Sequence, residues 1–215
     1  MAGLSLIELM ISITLGLIVL SAVIGVFVNA SATRTELERT SRQIENGRYA
    51  VDLLTDDLRL GGFYGELNAS SVALPGALPD PCSTTPADWS SAIPIHIQGY
   101  HNWPFAPSWW ETTTCWWWWM TNVQWNTDIL VVRRAATCVA GSGGAGSGCE
   151  AAAAGKPYLQ VSLCGTEATT TPYTLGIQGT ATYSLTIRDC ATAAGLRQYL
   201  VDIYYISTEI GRAHV

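Results

Sequence analysis

Charge is scarce in this sequence. Only 13% of its 215 residues are Asp, Glu, Lys or Arg, about half the share of an average soluble domain. The shortage is uneven: no formal charge falls between Glu8 and Arg34, and no base between Arg59 and Arg133. Scarce charge combined with 48% hydrophobic residues excludes a solvated disordered chain, which needs low hydrophobicity and high net charge. The acidic balance, 17 acids against 11 bases, argues against nucleic acid as the primary partner, because phosphate binding rests on clustered Lys and Arg. Further absences narrow the chemistry. Neither C-x-x-C nor H-x-x-x-H occurs, so His96 and His101 do not complete a zinc pattern with the cysteines. Glu66, Asp80 and Asp88 sit outside any Asp-rich loop of the calcium-binding kind. No G-x-S-x-G motif is present to mark a nucleophile. The expectation is a protein without cofactor, metal or enzymatic activity.

What the sequence does contain begins with a long apolar run. From Leu9 to Thr33, 25 residues carry no charge and most are Leu, Ile, Val, Ala or Met. A bilayer core of about 30 Å needs about 20 such residues in a helix, so the run is long enough to span it. Soluble helices rarely stay apolar on every side for this length. A cleaved signal peptide has a shorter apolar stretch and a small-residue cleavage site, whereas here an amphipathic segment follows without a break. The run therefore reads as a retained anchor. Glu8 stands at its edge, where an ionised carboxylate costs several kcal/mol unless paired. No Lys or Arg precedes Arg34, so the expected partner is an α-amino group, freed by cleavage before Leu4, on a neighbouring subunit.

GLSLIELMIS, from Gly3 to Ser12, resembles the processing motif of type IV prepilins and pseudopilins. The resemblance implies cleavage between Gly3 and Leu4 by a membrane prepilin peptidase, methylation of the Leu4 amine, and a role for Glu8 as the fifth mature residue in subunit assembly. Leu4 replaces the family's commoner phenylalanine. Family leaders usually carry basic residues, but here only Met1-Ala2-Gly3 precede the cut, so the true start is expected upstream. Arg34, Arg39, Arg42 and Arg48 flank the span on its C-terminal side, which by the positive-inside rule alone would keep the remainder in the cytoplasm. The motif and the cysteines outweigh that rule and point to the bacterial inner membrane, head in the periplasm, and then to an extracellular pilus.

Between Ser31 and Leu60 the pattern turns amphipathic. Leu37, Ile44, Val51 and Leu58 recur every seven residues, joined by Leu54, which makes one apolar stripe on a helix. The pairs Glu36–Arg39, Glu38–Arg42, Glu45–Arg48 and Asp56–Arg59 suit a solvated face at a few tenths of a kcal/mol each. Gly61-Gly62 predicts the stop, and a continuous helix from Leu4 to Leu60 would run about 85 Å. The stripe is expected to pack against the protein's own head, with lateral contact to other subunits as a compatible second use. Gly47–Gly65, GRYAVDLLTDDLRLGGFYG, resembles the corresponding stretch of PilW-type minor pilins.

Beyond Gly65, seven of the nine prolines fall between Pro75 and Pro107, which predicts loop or edge structure rather than helix. Strands are expected at Asp128–Arg134, Tyr158–Cys164, Tyr173–Gln178, Thr182–Arg188 and Gln198–Ile206, the last placing Tyr199, Val201, Ile203 and Tyr205 on one face. NTDILVVRRAATC, KPYLQVSLCG and QYLVDIYYIST are also similar to the PilW-type head. Cys82, Cys115, Cys138, Cys149, Cys164 and Cys190 are an even number in an exported chain and read as disulfides, although six cysteines allow 15 pairings. Pairing of neighbours is preferred, 82 with 115, 138 with 149 and 164 with 190. Cys138–Cys149 leads because it brackets the flexible GSGGAGSG loop.

Eight tryptophans crowd between Trp103 and Trp125. One reading places them in the core and at a subunit contact. The other makes Trp117 and Trp119 part of an exposed aromatic platform for a surface, a glycan or the next pilin. The terminal EIGRAHV, 209–215, breaks the strand pattern and matches one translated frame of a common sequencing-adapter oligonucleotide, so it is expected to be non-native.

Together these readings give an α+β chain: a leader at 1–3, a transmembrane and filament-core helix at 4–30, an amphipathic helix at 31–60, and a disulfide-bearing, mainly antiparallel β-rich head at 61–208 packed on the helix. The resemblance implies a minor pilin that supports pilus initiation, and through it twitching, adhesion or DNA uptake. Its implied partners are other pilins, the prepilin peptidase, the inner-membrane assembly platform and, before assembly, membrane lipid. A type II secretion pseudopilin and a tip adhesin remain alternatives.

Overall fold

The computed structural model describes residues 5–103, 123–124, 126–144 and 147–208. The chain divides into two compact units, one ending at Thr55 and the other starting at Asp56.

A single helix, α1, runs from Leu6 to Leu60. No proline interrupts it, and Glu8 in its first turn and Arg59 in its last complement the helix dipole. The stop at Gly61-Gly62 is as expected. Gly62 takes a left-handed φ of +80°, which glycine adopts without steric cost, and its N–H donates to Arg133 O at 3.0 Å. A Cβ there would lie 2.8 Å from the His96 ring, so both conformation and space require glycine.

The second unit takes in the last turn of α1 and the β-rich head. After α1 come helix α2 (Pro86–Ala92), strands β1 (Ile97–Trp103), β2 (Thr127–Ala135) and β3 (Pro157–Val161), helix α3 (Gly165–Ala168), and strands β4 (Tyr173–Ile177) and β5 (Leu196–Tyr204). The five strands form one antiparallel sheet in the order β1-β2-β5-β3-β4. The last strand thus enters between two earlier hydrogen-bonded pairs and joins them. The architecture is α+β, as expected.

Strand alternation divides the sheet into two faces. On one, Ala135, Leu159, Val161, Leu175 and Tyr199 build the core, closed by Tyr64, Leu67 and Ile93 from the segment after α1. Tyr64 stacks on Tyr199 at 6.4 Å, and Trp89 of α2 approaches the same ring at 6.1 Å. Full burial of a side chain such as Ile93 or Leu159 contributes about 1.5–3 kcal/mol. On the opposite face of β2 lies Val132, also fully buried. A Cβ on Gly61 would sit 3.4 Å from its Cγ1 and from that of Ile97, so the chain leaving α1 passes close over this face.

Two expectations are corrected. The proline-rich stretch contains a helix, α2, because Pro86 occupies its first turn, where proline's missing N–H costs nothing. The same stretch leads into β1, an edge strand, which accords with the expected edge structure. Thr182–Arg188 is not a strand. Its one ladder contact is an isolated bridge from Thr186 to Ala193, and side chains from β3 and α3 hold it instead.

Candidate functional site

The apolar segment of α1 is built from side chains that have nothing of their own to pack on. From Leu6 to Val28 every large apolar residue is exposed, from 52% for Leu9 to 78% for Leu6. Over an 18-residue window the mean hydropathy reaches 2.7, long and apolar enough for a membrane span by length and composition. The hydroxyls in this segment turn back onto their own helix. Ser12 Oγ donates to Glu8 O at 2.8 Å, Thr14 Oγ1 to Ile11 O at 2.9 Å, and Ser21 Oγ to Ile18 O at 2.9 Å. Such back-bonding satisfies the polar groups within one helix, the condition for residing in hydrocarbon.

Glu8 is the exception. It lies in the first turn of α1, exposed, and its carboxylate has no hydrogen bond or ion pair among the described residues. The cleavage residues Gly3 and Leu4 lie outside the described residues, so the junction itself has no geometry to report.

Farther along α1 lies the amphipathic stripe. Leu37, Ile44 and Val51 stand 64%, 59% and 62% exposed. Leu54 and Leu58 of the same stripe, nearer the end of α1, are half-buried. Of the four charge pairs expected, two form, Glu36–Arg39 at 3.6 Å and Asp56–Arg59 at 3.7 Å. Both are open to solvent and worth little.

In the head, two of the expected disulfides are present, Cys138–Cys149 and Cys164–Cys190. Cys82 is also disulfide-bonded; its expected partner, Cys115, lies outside the described residues, as do Trp117 and Trp119. The Cys164–Cys190 bridge belongs to a larger clamp on the segment 182–194. Glu167 of α3 accepts from the Thr186 N–H at 2.9 Å, the Thr186 hydroxyl at 2.8 Å and the Ser162 hydroxyl at 2.8 Å. Those hydrogen bonds, the Thr186 backbone first, hold the Glu167 carboxyl below its ordinary range. Gln160 adds a bridge of its own, accepting from Leu185 N at 3.0 Å and donating to Ala194 O at 2.8 Å.

Sequence reasoning missed two arginines. Arg133 and Arg134 are consecutive on β2, so one must face the core. Arg133 is 2% exposed. Its Nη1 donates to Ile95 O at 3.0 Å, while Nη2 is buried with no hydrogen-bond partner among the described residues. Arg134 emerges on the other face, beside Asp57, Asp202 and Tyr204. The available signal was the doublet itself in DILVVRRA, where period-two alternation cannot leave both charges on the wet side.

No family model, curated protein or solved structure matches this chain. Its reading therefore rests on residues and their chemistry.

Proposed function

We propose that the chain is a minor pilin of a type IV pilus, similar to the PilW type, that acts by assembly rather than by chemistry. The observation that carries this reading is the setting of Glu8. It is a carboxylate with no partner among the described residues, in the first turn of a helix whose first half is apolar and bonds its own hydroxyls, five positions after Gly3. Hydrolysis of the Gly3–Leu4 peptide bond leaves a new amine at Leu4, later methylated. That amine on one subunit is the counter-charge that Glu8 of the next one lacks, and pairing removes the cost of taking a lone carboxylate out of water.

The exposed apolar side chains supply the driving force. In the bilayer they face lipid, and in a filament they face the helices of neighbours, so the segment moves between two apolar surroundings without being wetted. The disulfide-stapled head stays at the filament surface, at or near the tip, and pilus initiation leads to twitching, adhesion or DNA uptake. In a strain carrying this subunit, Glu8→Ala should leave cleavage of the precursor intact and reduce surface pili at least tenfold, counted by electron microscopy beside an immunoblot for processing. Normal piliation in that strain would refute the reading.

A further inference from the structure

The Arg134 cluster has no part in that reading. Asp202 and Tyr204 of β5 share a face of the sheet with Arg134 of β2, as the register Val132–Asp202, Leu130–Tyr204 and Arg134–Leu200 requires. The last turn of α1 adds Asp57. A single nitrogen, Arg134 Nη2, faces both carboxylates, at 2.8 Å from Asp57 Oδ1 and 3.7 Å from Asp202 Oδ2. The Tyr204 hydroxyl donates to Asp57 Oδ2. The Asp57 and Arg134 side chains are 15% and 18% exposed, and that of Asp202 is 34% exposed.

These partners are unequal. Asp57 holds the short contact with the guanidinium and also the phenol. Asp202 has only the longer contact to the guanidinium, and its Oδ2 is buried with no hydrogen bond to a donor among the described residues. One guanidinium cannot neutralise two carboxylates, so with both ionised the cluster carries a net charge of −1 in a poorly solvated place. It is one proton short.

We propose that Asp202 is a proton-operated latch on the last turn of α1. A proton taken from solvent onto the Asp202 carboxylate turns an acceptor into a donor, which bonds to Asp57 and brings the cluster to neutrality. Loss of that proton sets two carboxylates against one another and loosens the turn from the β2–β5 face.

The electrostatics agree. Burial first, and then the Asp57 charge, push Asp202 up to about 6 against the pull of Arg134. Burial, followed by the hydrogen bond to Asp57, raises Tyr204, so the phenol stays a donor throughout. The charged and titratable groups that meet here are Asp57 from α1, Arg134 from β2, and Asp202 and Tyr204 from β5. The neighbouring Asp56–Arg59 pair stands 77% and 75% exposed, turned to solvent. The latch does not rest on the pilin reading, which concerns only where the head operates.

The test uses the whole chain in detergent micelles, unassembled, with carbon-13-labelled aspartate carboxyls. One carboxyl should titrate near 6. Hydrogen exchange at the amides of residues 57–60, corrected for the intrinsic rate, should be about tenfold faster at pH 7.5 than at pH 5. That figure is the equivalent of one pKa unit, half of the full shift, because Asp202 is a third exposed. Asp202→Asn should give slow exchange at both pH values, and Asp57→Asn should lower the Asp202 titration. A wild-type chain with no aspartate titrating above about 5, or an Asp202→Asn chain that keeps the pH dependence, would overturn the latch. If Asp202→Asn does not fold, the wild-type titration decides alone. Loss of piliation in Glu8→Ala cannot imitate either result, because no assembly is involved.

Discussion

Between Leu6 and Val28 the helix exposes every large apolar side chain and bonds its hydroxyls only to itself. The head does the reverse. It buries its apolar residues and sends polar side chains across long stretches of sequence, Gln160 to residues 185 and 194 and Arg133 to Ile95. The helix is stable as a local object, since each backbone bond reaches only four residues back, but it is incomplete as a surface. The head is complete as a surface and depends on non-local ties. The contrast explains why a chain with so little charge needs disulfides at one end and none at the other. The head is closed from within by its own side chains and disulfides.

Removing those ties should hurt the head and leave the rod alone. The largest loss is expected from Cys164→Ala with Cys190→Ala, which opens a loop of 26 residues and should cost about 3.5 kcal/mol in the chain-entropy model. Cys138→Ala with Cys149→Ala opens a loop of 11 and should cost about 2.8 kcal/mol. Chemical denaturation followed by tryptophan fluorescence orders the two. Equal or reversed losses would show that the clamp by Glu167 and Gln160 already holds the segment 182–194 without its disulfide.

Proton binding comes next in size. The folded state raises Asp202 from 3.8 to about 6, so its contribution to head stability is full below about 4 and is lost as pH rises through about 6. A shift of two units corresponds to about 3 kcal/mol at most; for a side chain a third exposed, about 1 kcal/mol is expected. A denaturation midpoint that climbs as pH rises from 4 to 7 in the wild type, yet not in Asp202→Asn, would reverse the assigned sign. The smallest effect belongs to the rod. A Cβ at Gly47 meets nothing within 4 Å, so Gly47→Ala should raise helix stability by about 0.5–1 kcal/mol. Helix signal gained by circular dichroism in detergent, with no shift in the unfolding of the head, would sharpen the division between the units.

What could be read ahead of the structure followed the same division. The apolar run, its amphipathic continuation and the stop at Gly61-Gly62 are local signals, and α1 ends where they place it. β2, β4 and β5 follow alternation, and Cys138–Cys149 follows from a short flexible loop between its cysteines. Non-local features were hidden. Thr182–Arg188 alternates like a strand, but its neighbours reach it with Glu167 and Gln160 side chains, not with a ladder. α2 was masked by prolines that mark helix starts as readily as loops. The heptad stripe of Leu37, Ile44 and Val51 states only that a surface is available, without naming what covers it. The gathering of Asp57, Arg134 and Asp202 depends on register and on the path after α1, and no spacing in the sequence announces it.

On the proposed reading, the apolar helix is retained and processed at its very start. Mass spectrometry of the membrane-extracted protein, from cells that carry a prepilin peptidase, tests it most directly. The expected product is a mature chain that begins at an N-methylated Leu4 and still contains Glu8 and the apolar run. A chain still carrying Gly3, or one that begins beyond the apolar run, would contradict it.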